Sequence, residues 1–187
     1  MESPAIDEAR ARAAASGFTM SSDPGVGALL AVLAAAVPAS GRILELGTGC
    51  GVGLAWIVHG LGERTDVEVI SLEADPDVAG VARSGTWPEH ASIVAGDAVE
   101  LLPSLGTFDL VFADAEGGKW EGLELTITAL RPGGILVVDD MTPAEWQSET
   151  HRAKTAQVRT TLTTDPRLVT VELQWATGVI VCTRRVT

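Results

Sequence analysis

The chain is expected to fold as an α/β domain: a mostly parallel sheet of seven strands, helices on both faces, and an antiparallel hairpin at the C-terminal end. Three observations predict this. Strand-like apolar runs alternate with helix-like segments as far as residue 140. Most of these runs are continuously apolar rather than alternating, as strands covered on both faces are. The last two runs follow each other with no helix between them, a connection too short for parallel neighbours. The 187 residues suit a single domain. It divides into N-terminal helices (1–38), a core (41–140), and a last helix with the terminal hairpin (141–187).

Each element has its local reason. Residues 5–16 mix alanines with charged side chains and stop at Gly17, a helix with a glycine end. Asp23-Pro24 places an acid at the cap and proline in the first turn of a second helix, which runs to about Val37 and is closed by Pro38. The first strand, 42–46, leads into the glycine run Gly47-Thr48-Gly49-Cys50-Gly51-Val52-Gly53 and a helix to about Leu61. A second strand, 67–72, ends at Glu73, and Asp75-Pro76 starts the next helix. The third strand, 91–95, is followed by Gly96-Asp97 and a helix through Leu102. The fourth, 108–113, ends at Asp114, with a helix expected from about Trp120 to Leu130. The fifth, 134–138, ends at Asp139-Asp140, and Thr142-Pro143-Ala144-Glu145 then has the form of a capping box. Residues 168–175 and 178–183 make the hairpin.

Composition narrows the function. With 25 acidic and 13 basic residues the formal net charge is -12, a surface that repels phosphate backbones and argues against nucleic acid as a partner. Arg184-Arg185 is a short basic pair at a solvated terminus. Cys50 and Cys182 sit in glycine-rich or apolar runs and do not form a disulfide framework. The first sixteen residues carry three acids and no long apolar core, and the apolar run 26–37 is too short to span a bilayer. A cytoplasmic protein with a small-molecule partner and no membrane association is therefore expected.

The sharpest motif is Ile43-Leu-Glu-Leu-Gly-Thr-Gly-Cys-Gly-Val-Gly53. Glycines at a strand-to-helix turn let the backbone approach a ligand and aim amide groups at it. The alternation of Gly47, Gly49 and Gly51 partly satisfies a dinucleotide fingerprint, although any tight turn of an α/β sheet can use glycine. Glu73, at the end of the second strand, can accept hydrogen bonds from two ribose hydroxyls. Gly96-Asp97 lies on the same rim, where Asp97 also reads as the cap of the next helix.

Taken in order, ILELGTGCG, the acid of VISLEADPD, the AGDA turn, FDLVFADAEGGKW and LRPGGILVVDDM resemble the successive motifs of class I S-adenosylmethionine methyltransferases. Within these the chain is most similar to the cation-dependent O-methyltransferases, the group of catechol and caffeoyl-CoA O-methyltransferases. The resemblance extends from about Met20 to Arg184. It implies a Rossmann-like fold whose seventh strand is antiparallel, S-adenosylmethionine as cofactor, and transfer of its methyl group to a hydroxyl of a small molecule. It further implies that Gly47, Gly49 and Gly51 line the methionine half, that Glu73 binds the ribose, and that Asp97 and Ala98 flank the adenine. Met20, Ser21, Glu45, Thr48, Gly53, Ala74, Gly96 and Asp114 are the other cofactor-facing positions it implies, and Ser22 joins Ser21 in closing the pocket. It also leaves room for a homodimer.

The reacting side is read from position. If the fourth and fifth strands are neighbours, Asp114, Asp139 and Asp140 converge on one crevice, where three carboxylates repel unless protonated or bridged by a cation. An all-oxygen set suits Mg²⁺, Mn²⁺ or Ca²⁺ rather than zinc. In the resembling family these three positions are the metal ligands. Two departures stand out. The family has a serine at the position of Gly53, and a lysine three residues after the first metal aspartate, where this chain has Gly117. Lys119 is the candidate base if the Gly117-Gly118 pair gives the loop a different path; otherwise it is a surface lysine. Trp120 is expected to pack beside the substrate loop. His59, His90 and His151 fall in no motif. Three alternatives remain at this stage: a cation-independent methyltransferase acting on nitrogen or on a larger partner, a non-catalytic cofactor-binding protein, and, least favoured, a nicotinamide dehydrogenase.

Overall fold

The computed structural model describes residues 3–143 and 148–186. Seven strands form one sheet: β1 (Arg42–Leu46), β2 (Glu68–Glu73), β3 (Ala91–Ala95), β4 (Phe108–Ala113), β5 (Leu130–Val138), β6 (Leu168–Leu173) and β7 (Val179–Arg184). Their order is β3-β2-β1-β4-β5-β7-β6. The first five run parallel, and β7 enters antiparallel to both β5 and β6. This is the predicted architecture, antiparallel hairpin included.

Alternation along each strand sends neighbouring side chains to opposite faces. Ile43, Val69, Leu110, Phe112 and Val137 pack with Val26, Leu30, Leu54 and Ile57. These come from α2 (Pro24–Ala35) and α3 (Val52–Leu61). Leu44, Leu46, Val111, Leu136 and Val138 pack on the other face with Ala98, Leu102, Ile127, Val158 and Leu162. That second layer is α5 (Ala98–Leu105), α7 (Leu123–Thr128) and α8 (Glu149–Thr164). Outside α3 lies α1 (Pro4–Ser16), whose Ile6, Ala9 and Ala13 close a smaller cluster over Val52, Ala55 and Trp56. A short α4 (Pro76–Arg83) connects β2 to β3.

The structure differs from the predicted elements in two places. The helix expected over 120–130 is broken into a single distorted turn, α6 (Glu116–Lys119), and α7. Gly118 and Gly122 adopt φ of 86° and 77°, left-handed conformations that a continuous helix cannot contain. β5 begins at Leu130 rather than 134, because Leu130 pairs with Phe108 ahead of a register shift. The predicted capping box extends outside the described residues at Ala144 and Glu145. The next described helix, α8, is capped by Ser148, whose hydroxyl oxygen accepts from the His151 amide at 3.1 Å.

Close packing of α2 on α3 makes a direct test. A methyl group at Gly60 would overlap the Ala31 carbonyl oxygen and lie 2.6 Å from its Cα, whereas one at Gly80, on the exposed face of α4, meets nothing within 4 Å. Gly60→Ala is expected to destabilise the fold by about 1–3 kcal/mol. Gly80→Ala is expected to stabilise it by about 0.4–1 kcal/mol. Urea denaturation of the two variants checks both signs, and equal midpoints would contradict this packing.

Candidate functional site

The parallel strands deliver their carboxyl ends to one edge of the sheet. At the end of β1 the chain turns through Gly47, Gly49 and Gly51, with φ of 99°, 52° and 90°. The amides of Gly47 and Thr48 donate to the Leu72 carbonyl at 2.9 and 3.0 Å, tying this turn to β2. A Cβ at Gly47 would sit 2.9 Å from the Asp114 carbonyl oxygen, so the glycine run and the exit of β4 form one wall. Glu73, at the end of β2, accepts from the Gly49 amide at 2.8 Å and from the Asp75 amide at 3.0 Å. Next along the edge, Asp97 caps α5 by accepting from the Val99 amide at 2.6 Å. Gly117 lies against Ala98, so the loop after β4 reaches the same rim.

Beyond Asp114 the edge becomes acidic. Asp139 and Asp140 leave β5 beside it, because Ala113 and Val138 are register partners, and the Asp139 amide donates to the Ala113 carbonyl at 3.2 Å. One oxygen from each of Asp114, Asp139 and Asp140 lies within 4.8 Å of the others. Asp139 is buried, and its Oδ1 accepts from the Thr177 hydroxyl and from the Asp140 amide, the latter at 2.7 Å. Asp140 takes a left-handed φ of 60°. Ser22, just before α2, donates to Asp114 Oδ2 at 3.4 Å. Burial, reinforced by the neighbouring acids, holds the Asp114 carboxyl well above the usual carboxylate range, although Lys119 opposes the shift. Asp139 is raised too, chiefly by burial, against the pull of its Thr177 hydrogen bond.

Lys119 is not a surface lysine. The residue is 5% exposed. Its Nζ stands 3.9 Å from Asp114 Oδ1 and 3.6 Å from Asp140 Oδ2, and donates to the Asp139 carbonyl at 3.3 Å. The glycine pair makes this possible: Gly117 is extended (φ -68°, ψ 125°) and Gly118 is left-handed, so the chain doubles back before the lysine. Next to it, half-buried Trp120 stacks edge-on against His151 with ring centroids 4.5 Å apart.

Comparison with known proteins follows the same outline. A family described as a methyltransferase domain matches residues 44–141, from β1 through the glycine run to the residue after the acid pair. The chain belongs to this family. Its motif order and fold are those of class I S-adenosylmethionine-dependent methyltransferases of the O-methyltransferase-like group. Catechol O-methyltransferase of Mycobacterium tuberculosis (strain ATCC 25618 / H37Rv) is 35% identical over 122 residues, which is 62% of this chain and 54% of that protein. The chain thus spans about half the length of the curated relatives it matches. The crystal structure of cofactor-bound Rv0187 from MTB superposes with a TM-score of 0.85 at 26% identity, covering 99% of this chain and 91% of the other. An O-methyltransferase from Bacillus cereus in complex with SAH superposes at 0.84 with 22% identity, covering 99% and 92%.

Other expected positions differ in their surroundings. Met20 is 76% exposed, and Ser22 donates to Asp114. Glu45 is fully buried beneath the glycine run, where Oε2 accepts from the Ser71 hydroxyl and Oε1 has no hydrogen-bond partner among the described residues. Ser71 and Thr48 share a further hydrogen bond of 2.5 Å. Glu45 also accounts for the missing serine: any Cβ at Gly53 would overlap Glu45 Oε1. Ser71 and Thr177 carry no motif and are visible only once the strands are assembled.

Burial pushes the Glu45 carboxyl up to about 8. A raised carboxyl binds a proton in the folded chain that the unfolded chain releases, so its contribution to stability falls as pH rises from about 4.5 to about 8. Glu45→Gln carries no such proton. Its stability relative to the parent is expected to climb across that window by up to ~1.4 kcal/mol per pH unit, a few kcal/mol in all. Urea melts at pH 5, 6.5 and 8 measure it, and a pH-independent difference would show that Glu45 ionises normally.

Proposed function

We propose that this methyltransferase moves the methyl group of S-adenosylmethionine to a hydroxyl oxygen of a small molecule, with a divalent cation held by Asp114, Asp139 and Asp140. One observation carries the reading: the glycine run and the three carboxylates share a wall, Gly47 lying directly against the Asp114 backbone. A cofactor seated on the glycines therefore ends beside the acids. The names of the similar proteins support the oxygen acceptor, and the net charge of -12 favours a small molecule over nucleic acid.

The chain's own residues divide the work. Amides of the glycine run and Glu73 hold the methionine and ribose portions, and Asp97 with Ala98 borders the adenine. Three carboxylates within 4.8 Å fit a hard cation, magnesium first and manganese or calcium as substitutes. When bound, such an ion lowers the pKa of the acceptor hydroxyl and fixes its oxygen. Thr177 and the Asp140 amide orient Asp139, Ser22 orients Asp114, and Lys119, once a bound ion has driven off its own proton, would stand where it can take the acceptor's. Orientation of acceptor and methyl group on one rigid edge supplies the remainder. Among the described residues no helix is long and apolar enough to cross a membrane, and both cysteines are free and buried, which supports a reducing, cytoplasmic setting. A homodimer completes the proposal. The second reading, transfer without a cation, is favoured by Lys119, which already places a positive charge among the acids.

Two measurements test the proposal. Glu73→Ala is expected to weaken binding of S-adenosylhomocysteine about tenfold or more, since each hydrogen bond to a charged acceptor is worth ~1.5–3 kcal/mol. Calorimetry that finds parent affinity in the variant removes Glu73 from the site. Chelation should abolish turnover of a catechol-type acceptor and magnesium or manganese should restore it, with Asp114→Asn inactive under both conditions. Because Asp114 and Asp139 hold protons above the usual carboxylate range, manganese affinity should fall as pH is lowered from 8 towards 5. Full activity in chelator would transfer the conclusion to the cation-independent reading.

A further inference from the structure

The lysine among the acids implies more than a base. We propose that Lys119 is a tethered counter-cation that a divalent ion must displace, so that ion uptake at this site is an exchange; the inference rests on the cation reading above. Its ammonium touches all three acidic residues at once, through the carboxylates of Asp114 and Asp140 and the backbone carbonyl of Asp139. A buried side chain so placed is not sampling solvent: it neutralises a cluster that would otherwise repel itself.

A divalent ion needs the same space. Magnesium sits about 2.0–2.1 Å from its carboxylate oxygens. The acids' oxygens lie up to 4.8 Å apart, so they must draw together around it, and Nζ now stands between Asp114 and Asp140. Two cations sharing one buried carboxylate cluster repel strongly, and the lysine is the one on a flexible stem. The backbone holding it is itself fixed. The Gly118 amide donates to the Glu121 carbonyl at 2.6 Å, and the Thr126 hydroxyl donates to the Gly118 carbonyl at 2.8 Å. Exchange is thus a side-chain movement from a rigid loop. The chain keeps its acids together without an ion and takes one up more weakly than an all-carboxylate site would.

Manganese titration followed by calorimetry and by the paramagnetic resonance of free Mn²⁺ tests this on the parent, Lys119→Met, Lys119→Gln, Lys119→Arg and Asp114→Asn. The Met and Gln variants should bind one Mn²⁺ at least tenfold more tightly than the parent. The Arg variant should stay weak, and Asp114→Asn should lose the site. In chelator the Met and Gln variants should melt below the parent and recover on adding Mn²⁺. Equal or weaker Mn²⁺ binding by both Met and Gln variants would overturn the exchange while leaving the cation reading intact. Absence of Mn²⁺ binding in every chain, with S-adenosylhomocysteine binding retained, would instead overturn the cation reading itself.

Discussion

Parallel pairing of β4 with β5 is the constraint on which the reacting side depends. With Ala113 registered against Val138, the next residue of each strand must emerge at the same edge, and those residues are Asp114 and Asp139. No loop has to search for this arrangement; the sheet's hydrogen bonds impose it. Parallel strands on either side of β1 do the same for the glycine run, Glu73 and Asp97. Ligand binding at the carboxyl edge of an open α/β sheet follows from this geometry.

Gathering acids at one edge has an electrostatic cost, and the structure shows how it is met. Asp114 is buried near Asp139 and Asp140, and burial first, then these two acids, raise its affinity for a proton. Lys119 supplies the opposing charge, the Thr177 hydroxyl and an amide serve Asp139, and Glu45 retains its proton through neutral pH. The absence of a side chain at Gly53 belongs to the same arrangement, since it leaves room for the buried carboxyl.

Much of the fold was legible because its signals are local. Apolar runs marked the five parallel strands, Asp23-Pro24 and Asp75-Pro76 marked helix starts, and a missing helix marked the hairpin. The misreadings arose where glycine acted against periodicity. One helix was expected from about Trp120 to Leu130, but left-handed Gly122 delays its start to Leu123, and Leu130 went to β5.

By itself the sequence determined the class of fold, the glycine turn, the acids at the strand ends and the resemblance to a family, because each is written in short runs of residues along the chain. The tertiary structure alone decided that Lys119 lies inside the acid cluster, that Ser22 and Thr177 attend Asp114 and Asp139, and that Glu45 is buried beneath the loop instead of facing the rim. Most of these contacts join residues tens of positions apart. Side-chain position, burial and charge balance there are set by which strands become neighbours, a property of the assembled sheet that no local pattern contains.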